Sequence, residues 1–333
     1  MKYEREDLPV TVRDYLDYLE VTKNRSLRTV DQYQIDLILF SKYLKGIREM
    51  LPMEGEDFDT MPIRDLPESL YAGVTVAEIN GFLTFAMRTR NNSARTRNRK
   101  LSSLRGFYRF CTVVTRRFPN NPVRDIESPK SERTLPKYLT EKEAETLLET
   151  VLADEESRSR LRDYAILTLF LNGGMRVSEL VGINLRDISP DFEKLLVTGK
   201  GAKQRIIYLN EACREVLTHY LKTRGGGKPI QAGHEQALFL SNRNQRISVK
   251  TVQWMVYKYL DAAGLGYRRL SVHKLRHTAA TLLYQTGKVD LRVLKDILGH
   301  EQLNTTQIYT HVSDESMKKA MEENPLSKKK SES

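Results

Sequence analysis

The sequence predicts a mainly α-helical protein with one small antiparallel β-sheet, an α+β arrangement divided into two domains. Three observations support that expectation. The 333 residues are about twice the length of a common domain, and an apolar content of 40% is enough to give each half its own core. Apolar residues recur at three- and four-residue intervals through most of the chain, and one pair of short strands flanks a Gly-Lys-Gly turn. Composition then narrows the function. With 54 Lys and Arg against 43 Asp and Glu, the net charge of +11 favours a polyanionic partner such as nucleic acid over an acidic small ligand. Two cysteines, Cys111 and Cys213, without C-x-x-C spacing argue against a disulfide framework or a cysteine zinc cluster. The opening MKYEREDLPV has no apolar stretch of the signal-peptide kind, and the longest apolar run, Ala165 to Leu171, is too short for a bilayer. A soluble, cytoplasmic protein with no membrane partner is expected.

The first helix is expected from Val12 to Val21, on the spacing of Val12, Tyr15, Leu16 and Leu19. Ser26 is placed to cap a second, whose stripe is Leu27, Val30, Tyr33, Leu37, Phe40 and Leu44. Residues 46 to 74, rich in Pro and Gly and poor in periodic apolar positions, read as a long irregular connection. Charge is segregated here: eight acids and one base from Glu49 to Glu78, then ten bases and no acid from Arg88 to Arg117. Within the basic run Leu101, Leu104, Phe107, Tyr108 and Cys111 form one helical face, leaving Arg95, Arg97, Arg99, Lys100 and Arg105 as candidate contacts to DNA phosphates. A merely solvated basic face is the competing reading. The four prolines from Phe118 to Pro136 read as a linker, giving a helical domain over 1–125, a linker over 126–137, a second domain over 138–324 and a disordered basic tail over 325–333.

In the second domain, Thr140 and Glu143 resemble a capping box, and Gly173-Gly174 end an apolar helix that runs from Asp163. Arg176 then opens the next helix among apolar residues. That is a costly place for a guanidinium unless it meets an anion or pairs with Glu179 or Asp187. Lys200 lies between two glycines at the turn of the hairpin formed by Leu195 to Thr198 and Arg205 to Leu209, where a lysine can reach a phosphate and donate a proton. Ser271 can cap a helix on which His273 and Arg276 share a face near the N-terminus, a clamp suited to a phosphate or oxyanion. His273 and His277 lack the glutamate and third ligand of a zinc site, and Arg276-His277 lacks the context of a histidine phosphatase, so no metal is expected. Asp290 can cap a further helix closed by Gly299, with His300 just beyond it and Tyr309 nine residues later. Met317, Ala320 and Met321 give the tail one apolar face suited to docking on another chain.

Two arginines, two histidines, a lysine and a tyrosine together meet the needs of metal-free phosphodiester cleavage: a nucleophile, cations around the phosphate and an acid for the leaving oxygen. A phosphotyrosyl intermediate conserves the bond energy, so no ATP is needed, and no G-x-x-x-x-G-K-[ST] loop is present. The series GMRVSEL, GKGAKQR, HKLRHTAAT and LGHEQLNTTQIYTHV resembles the signature of tyrosine recombinases (phage integrases), with the bacterial Xer group the best match, and SLRTVDQYQIDLILFSKYL and RNRKLSSLRGFYRF resemble that family's core-binding domain. The resemblance implies a SAM-like helical DNA-binding domain ahead of the catalytic domain, and no cofactor. It implies Tyr309 as nucleophile forming a 3′-phosphotyrosyl link, Arg176 and Arg276 on the scissile phosphate, Lys200 as acid for the 5′ oxygen, and His273 and His300 assisting. It further implies a duplex site with inverted arms and a Holliday junction. The assembly would be a homo-tetramer, or a hetero-tetramer with a second recombinase, with room for an activator protein. Chromosome dimer resolution and movement of a mobile element both fit, as alternatives. A type IB topoisomerase and a catalytically silent DNA-binding protein are the competing classes.

Overall fold

The computed structural model describes residues 3–129, 137–287 and 289–299. The chain divides into two compact units, Met1–Thr134 and Leu135–Ser333, each with its own core. In the first unit, α1 (Val10–Asp17) buries Val12, Tyr15 and Leu16 and continues as a π-helical turn over Tyr18–Thr22. The helix α2 (Leu27–Glu49) sets Val30, Leu37, Phe40 and Leu44 inward, as their spacing requires, whereas Leu27 is exposed. Ser26 holds the N-cap position, but its hydroxyl bonds Thr29 Oγ1 rather than a backbone N–H.

The irregular connection expected over 46–74 is corrected. This stretch contains the end of α2, then α3 (Glu56–Thr60) and α4 (Glu68–Ala72). Phe58, Ile63 and Tyr71 from it are buried in the core. Each of these anchors only one short turn, so no helical period shows in the sequence. Polar ties add to the anchoring: Tyr71 shares a hydrogen bond with Ser41 (2.7 Å), and Lys42 Nζ donates to the Asp59 carbonyl (2.6 Å). The unit is completed by α5 (Val76–Arg88), opened by a Thr75–Glu78 capping box, and α6 (Ala94–Arg109), capped by Ser93. On α6 the anticipated face of Leu101, Leu104, Phe107 and Tyr108 is fully buried, and Phe107 packs edge-on to Tyr15 and Tyr71. The Pro-rich stretch after Phe118 is fastened to this unit. Phe118, Val123 and Ile126 are buried in its core, Arg105 donates to the Ile126 carbonyl and to Ser128, and Asn98 to the Pro129 carbonyl.

The second unit is built around α8 (Arg160–Gly173). Ala165, Ile166, Leu167, Leu169 and Phe170 are all fully buried, so the helix is apolar on every side and must be surrounded. It packs against α7 (Glu141–Ala153), α10 (Glu211–Thr223) and α12 (Val272–Gln285). The capping box of Thr140 and Glu143 opens α7. A short helix α9 (Val177–Gly182) leads to the antiparallel pair β1 (Lys194–Thr198) and β2 (Gln204–Tyr208), with Lys194 opposite Tyr208 and Thr198 opposite Gln204. These two strands are the only sheet among the described residues, as the fold class requires. The remaining elements are α11 (Val249–Ala262) and α13 (Leu291–Leu298). Asp290 caps α13 through the Arg292 N–H (2.6 Å), and Gly299 ends it in the left-handed conformation at φ +62°.

Candidate active site

The site forms where α9, β2, α12 and the end of α13 meet. Its centre is Glu179, on the first turn of α9 and 1% exposed. One carboxylate oxygen accepts hydrogen bonds from Arg176 Nη1 and Arg205 Nη1, both at 2.6 Å, and the other accepts from the Arg176 backbone N–H at 2.7 Å. Arg276 Nη1 lies 4.0 Å from that second oxygen. Burial alone would raise the Glu179 pKa, but the hydrogen bonds from Arg205 and the Arg176 backbone outweigh it and hold the carboxyl below its ordinary value. One carboxylate against three guanidiniums leaves the cluster with surplus positive charge.

The same three arginines hold the end of α13. Arg205 Nε donates to the Ile297 carbonyl (3.1 Å), Arg276 Nη2 to the Leu298 carbonyl (2.6 Å) and Arg176 Nη2 to the Gly299 carbonyl (3.2 Å). Three successive carbonyls at the negative end of a helix, which lack partners within it, are thus each met by a different cation. The second Arg276 nitrogen donates to the Gly174 carbonyl (2.8 Å), so this 2% exposed arginine also fastens the turn between α8 and α9. His300 follows Gly299 directly in the chain.

Among the expected site residues, the structure brings Arg176 and Arg276 together around Glu179. Arg176 pairs with Glu179 but not with Asp187, whose carboxylate instead bonds the Asn184 N–H (2.8 Å). His273 is exposed on the first turn of α12, with its ring 4.7 Å from that of His277 in an edge-to-face contact. Ser271 precedes α12 without a side-chain capping bond. The Lys200 backbone opens a tight turn, closed by the Gly199 N–H on the Lys203 carbonyl (2.7 Å). A Cβ on Gly199 would stand 3.1 Å from a Glu179 oxygen, so the turn lies against the cluster. The Lys200 side chain, His300, Tyr309 and the tail face of Met317, Ala320 and Met321 lie outside the described residues.

Sequence reasoning missed Arg205. The available signal is alternation along β2: Arg205 and Ile207 point inward while Gln204, Ile206 and Tyr208 are exposed, and a charge on the inward register calls for a partner. On the basic helix the candidates separate. Arg95 is exposed, Arg97 donates to the Asn92 carbonyl (2.9 Å), and Arg105 is tied to Ile126 and Ser128. Arg99 and Lys100 both bond Asp36, and Lys100 is buried. Among the described residues no group of His, Cys, Asp and Glu is arranged to hold a metal, and no helix is long and apolar enough to cross a membrane.

The phage integrase family model matches residues 137–316, more than half of the chain. The chain belongs to the phage integrase family of tyrosine recombinases. Two relatives place it near the Xer group. It is 45% identical to "Tyrosine recombinase XerC" of Caldanaerobacter subterraneus subsp. tengcongensis over 96% of this chain and 88% of that protein. It is 33% identical to "Tyrosine recombinase XerC" of Staphylococcus aureus strain JH9 over 96% of this chain and 97% of that protein. Among solved structures, the XerH site-specific recombinase bound to a palindromic difH substrate in a post-cleavage complex superposes with a TM-score of 0.69. At 22% identity, over 93% of this chain and 84% of that one, this likeness speaks for the fold. The recombinase reading drawn from the motifs is borne out and is favoured over the topoisomerase and silent-binding alternatives.

Proposed function

We propose that this recombinase cuts and rejoins DNA at a specific duplex site, with Tyr309 as its nucleophile. The observation that supports this most is the convergence of Arg176 and Arg276 on one buried carboxylate and on the chain end that leads into His300. A phosphodiester passing through a pentacovalent state gathers negative charge on its non-bridging oxygens, and preorganised guanidiniums stabilise that charge without reorganising at the moment of reaction. Tyr309 Oη attacks phosphorus as it loses its proton, with His273 and His300 assisting the transfer. The P–O5′ bond breaks, Lys200 supplies a proton to the departing oxygen, and the 3′ end stays on the tyrosine. Attack by a partner strand's 5′ hydroxyl reverses each step. No cofactor takes part.

The partners follow from the chemistry. Exchange between two duplexes requires four tyrosines, two on each of two sites with inverted arms, supplied by a homo-tetramer or together with a second recombinase, with an activator selecting which pair cuts. The amphipathic segment of Met317, Ala320 and Met321 would join neighbouring protomers. Similarity to relatives named XerC favours an Xer-type role, chromosome dimer resolution, over mobile-element movement, and hence action on cytoplasmic DNA. Among the candidates on the basic helix, the exposed Arg95 is the one best placed to meet phosphates. The test is Tyr309→Phe on a nicked suicide substrate. It should bind the cognate site with unchanged affinity and form no covalent protein–DNA adduct; adducts that persist would move the nucleophile elsewhere.

A further inference from the structure

We propose that Arg205 is a positioning residue for strand cleavage, fixing the Lys200 hairpin against the end of α13 so that the proton donor stands at the leaving oxygen. The proposal rests on the roles given above to Tyr309 and Lys200. Arg205 lies on β2, the strand into which the Lys200 turn runs, five residues after that lysine. Its guanidinium reaches across the site in two directions, with Nη1 on Glu179 (2.6 Å) and Nε on the Ile297 carbonyl (3.1 Å). The stem packs as closely: a Cβ on Gly299 would stand 2.9 Å from Arg205 Cδ, and Gly299 adopts φ +62°, so glycine is needed there twice over. One side chain therefore links the hairpin to α9 and α13, the elements that hold Arg176 and lead to His300.

The inward position is expensive unless it is used. Arg205 Nη1 and Nε satisfy two acceptors of different orientation, whereas Nη2 is buried with no hydrogen-bond partner among the described residues. A structural pair with Glu179 alone would need only one nitrogen, and a lysine there could serve one acceptor but not span both. The tip between the strands, residues 199–203, joins the rest of the site through β1 and β2, and without the tie from Arg205 it would drift relative to Glu179. A misplacement on the order of 1 Å in a catalytic group lowers a rate by about 10²-fold.

The test is single-turnover cleavage of a nicked suicide duplex by the full chain, comparing wild type, Arg205→Met, Arg205→Lys and Lys200→Ala. Each is run on a substrate with the normal 5′ oxygen at the scissile position and on one with a 5′-bridging sulfur, whose thiolate leaves without being protonated. We expect Arg205→Met to cleave the oxygen substrate about 10²-fold more slowly than wild type, to bind the duplex as tightly, and to regain most of its rate on the sulfur substrate, as Lys200→Ala should. Arg205→Lys should fall between, with the same preference for sulfur, and it carries the test if the methionine variant does not fold. Equal slowing on both substrates, or no slowing on oxygen, overturns the positioning role. A wild type that forms no adduct on either substrate overturns the nucleophile assignment instead, and a Lys200→Ala enzyme that sulfur does not rescue removes the acid on which this proposal depends.

Discussion

Glu179 is the residue on which the site's electrostatics turn. Its carboxylate is fully buried and held ionised against its own desolvation by Arg205 and Arg176, so it is a strut that keeps three like charges within one small volume. Glu179→Gln keeps the shape and removes the charge, leaving the guanidiniums to repel one another. The expected cost is about 3 kcal/mol of stability at neutral pH, the range for breaking a buried pair by removing one partner. The pH dependence has a definite sign. A carboxyl whose folded pKa lies below its unfolded value contributes stability above the unfolded value and loses it as pH falls through the folded one. The melting temperatures of wild type and Glu179→Gln should therefore differ most near neutrality, begin to converge below about pH 4, where unfolded glutamate takes up its proton, and meet only once pH has fallen below the lowered pKa of folded Glu179. A gap that stays constant into acid would mean that Glu179 contributes by shape alone.

At the scale of elements, α2 and α6 show how a buried charge can serve packing. Asp36 on α2 and Lys100 on α6 are both buried, 3.0 Å apart, with Arg99 on the same carboxylate. Burial pushes the Asp36 pKa above the usual carboxylate range even though Lys100 and Arg99 pull it down, which marks the pair as costly to hold ionised. Asp36→Leu alone should cost about 3–5 kcal/mol by stranding the Lys100 ammonium, while Asp36→Leu with Lys100→Met should recover most of it. Denaturant melts of the single and double variants would measure this coupling, and additive losses would refute it. The pair also marks where the sequence stops being legible. The faces of α2 and α6 could be read from period alone, because Leu37, Phe40, Leu104 and Phe107 repeat on one side of a helix. Lys100 sits beside such a face yet points inward, and a lysine's side of a helix is decided by a partner 64 residues away. The same reason hides α3 and α4, whose single anchors have no local repeat, and Arg205, whose acceptors come from two distant segments. Arg176 was legible because its placement at a helix start among apolar neighbours already demands an anion, and Arg276 because it shares a face with His273 near a helix N-terminus.

The net charge of +11 belongs to the whole molecule, but only part of it can meet DNA. Among the ten bases from Arg88 to Arg117, Arg90, Arg99, Lys100 and Arg117 are ion-paired, and Arg97 and Arg105 donate to backbone carbonyls. Arg88, Arg95, Arg109 and Arg116 are exposed with no ion pair among the described residues. The acidic stretch before them explains part of the difference. Asp59 holds Arg90 at 2.7 Å, and Glu68 lies 3.7 Å from Arg117, so acids that look segregated in sequence neutralise bases in the fold. Counterion release makes this distinction measurable, because each phosphate neutralised adds about 0.9 to the slope of log affinity against log salt. Arg95→Ala should reduce the slope for duplex binding by about that amount. Asp36→Leu with Lys100→Met removes a lysine from the same helix and should leave the slope unchanged, since that charge is already matched inside the unit. If the double variant flattened the slope as much as Arg95→Ala does, the basic run would act through its sequence total, and the partition seen in the fold would have no bearing on binding.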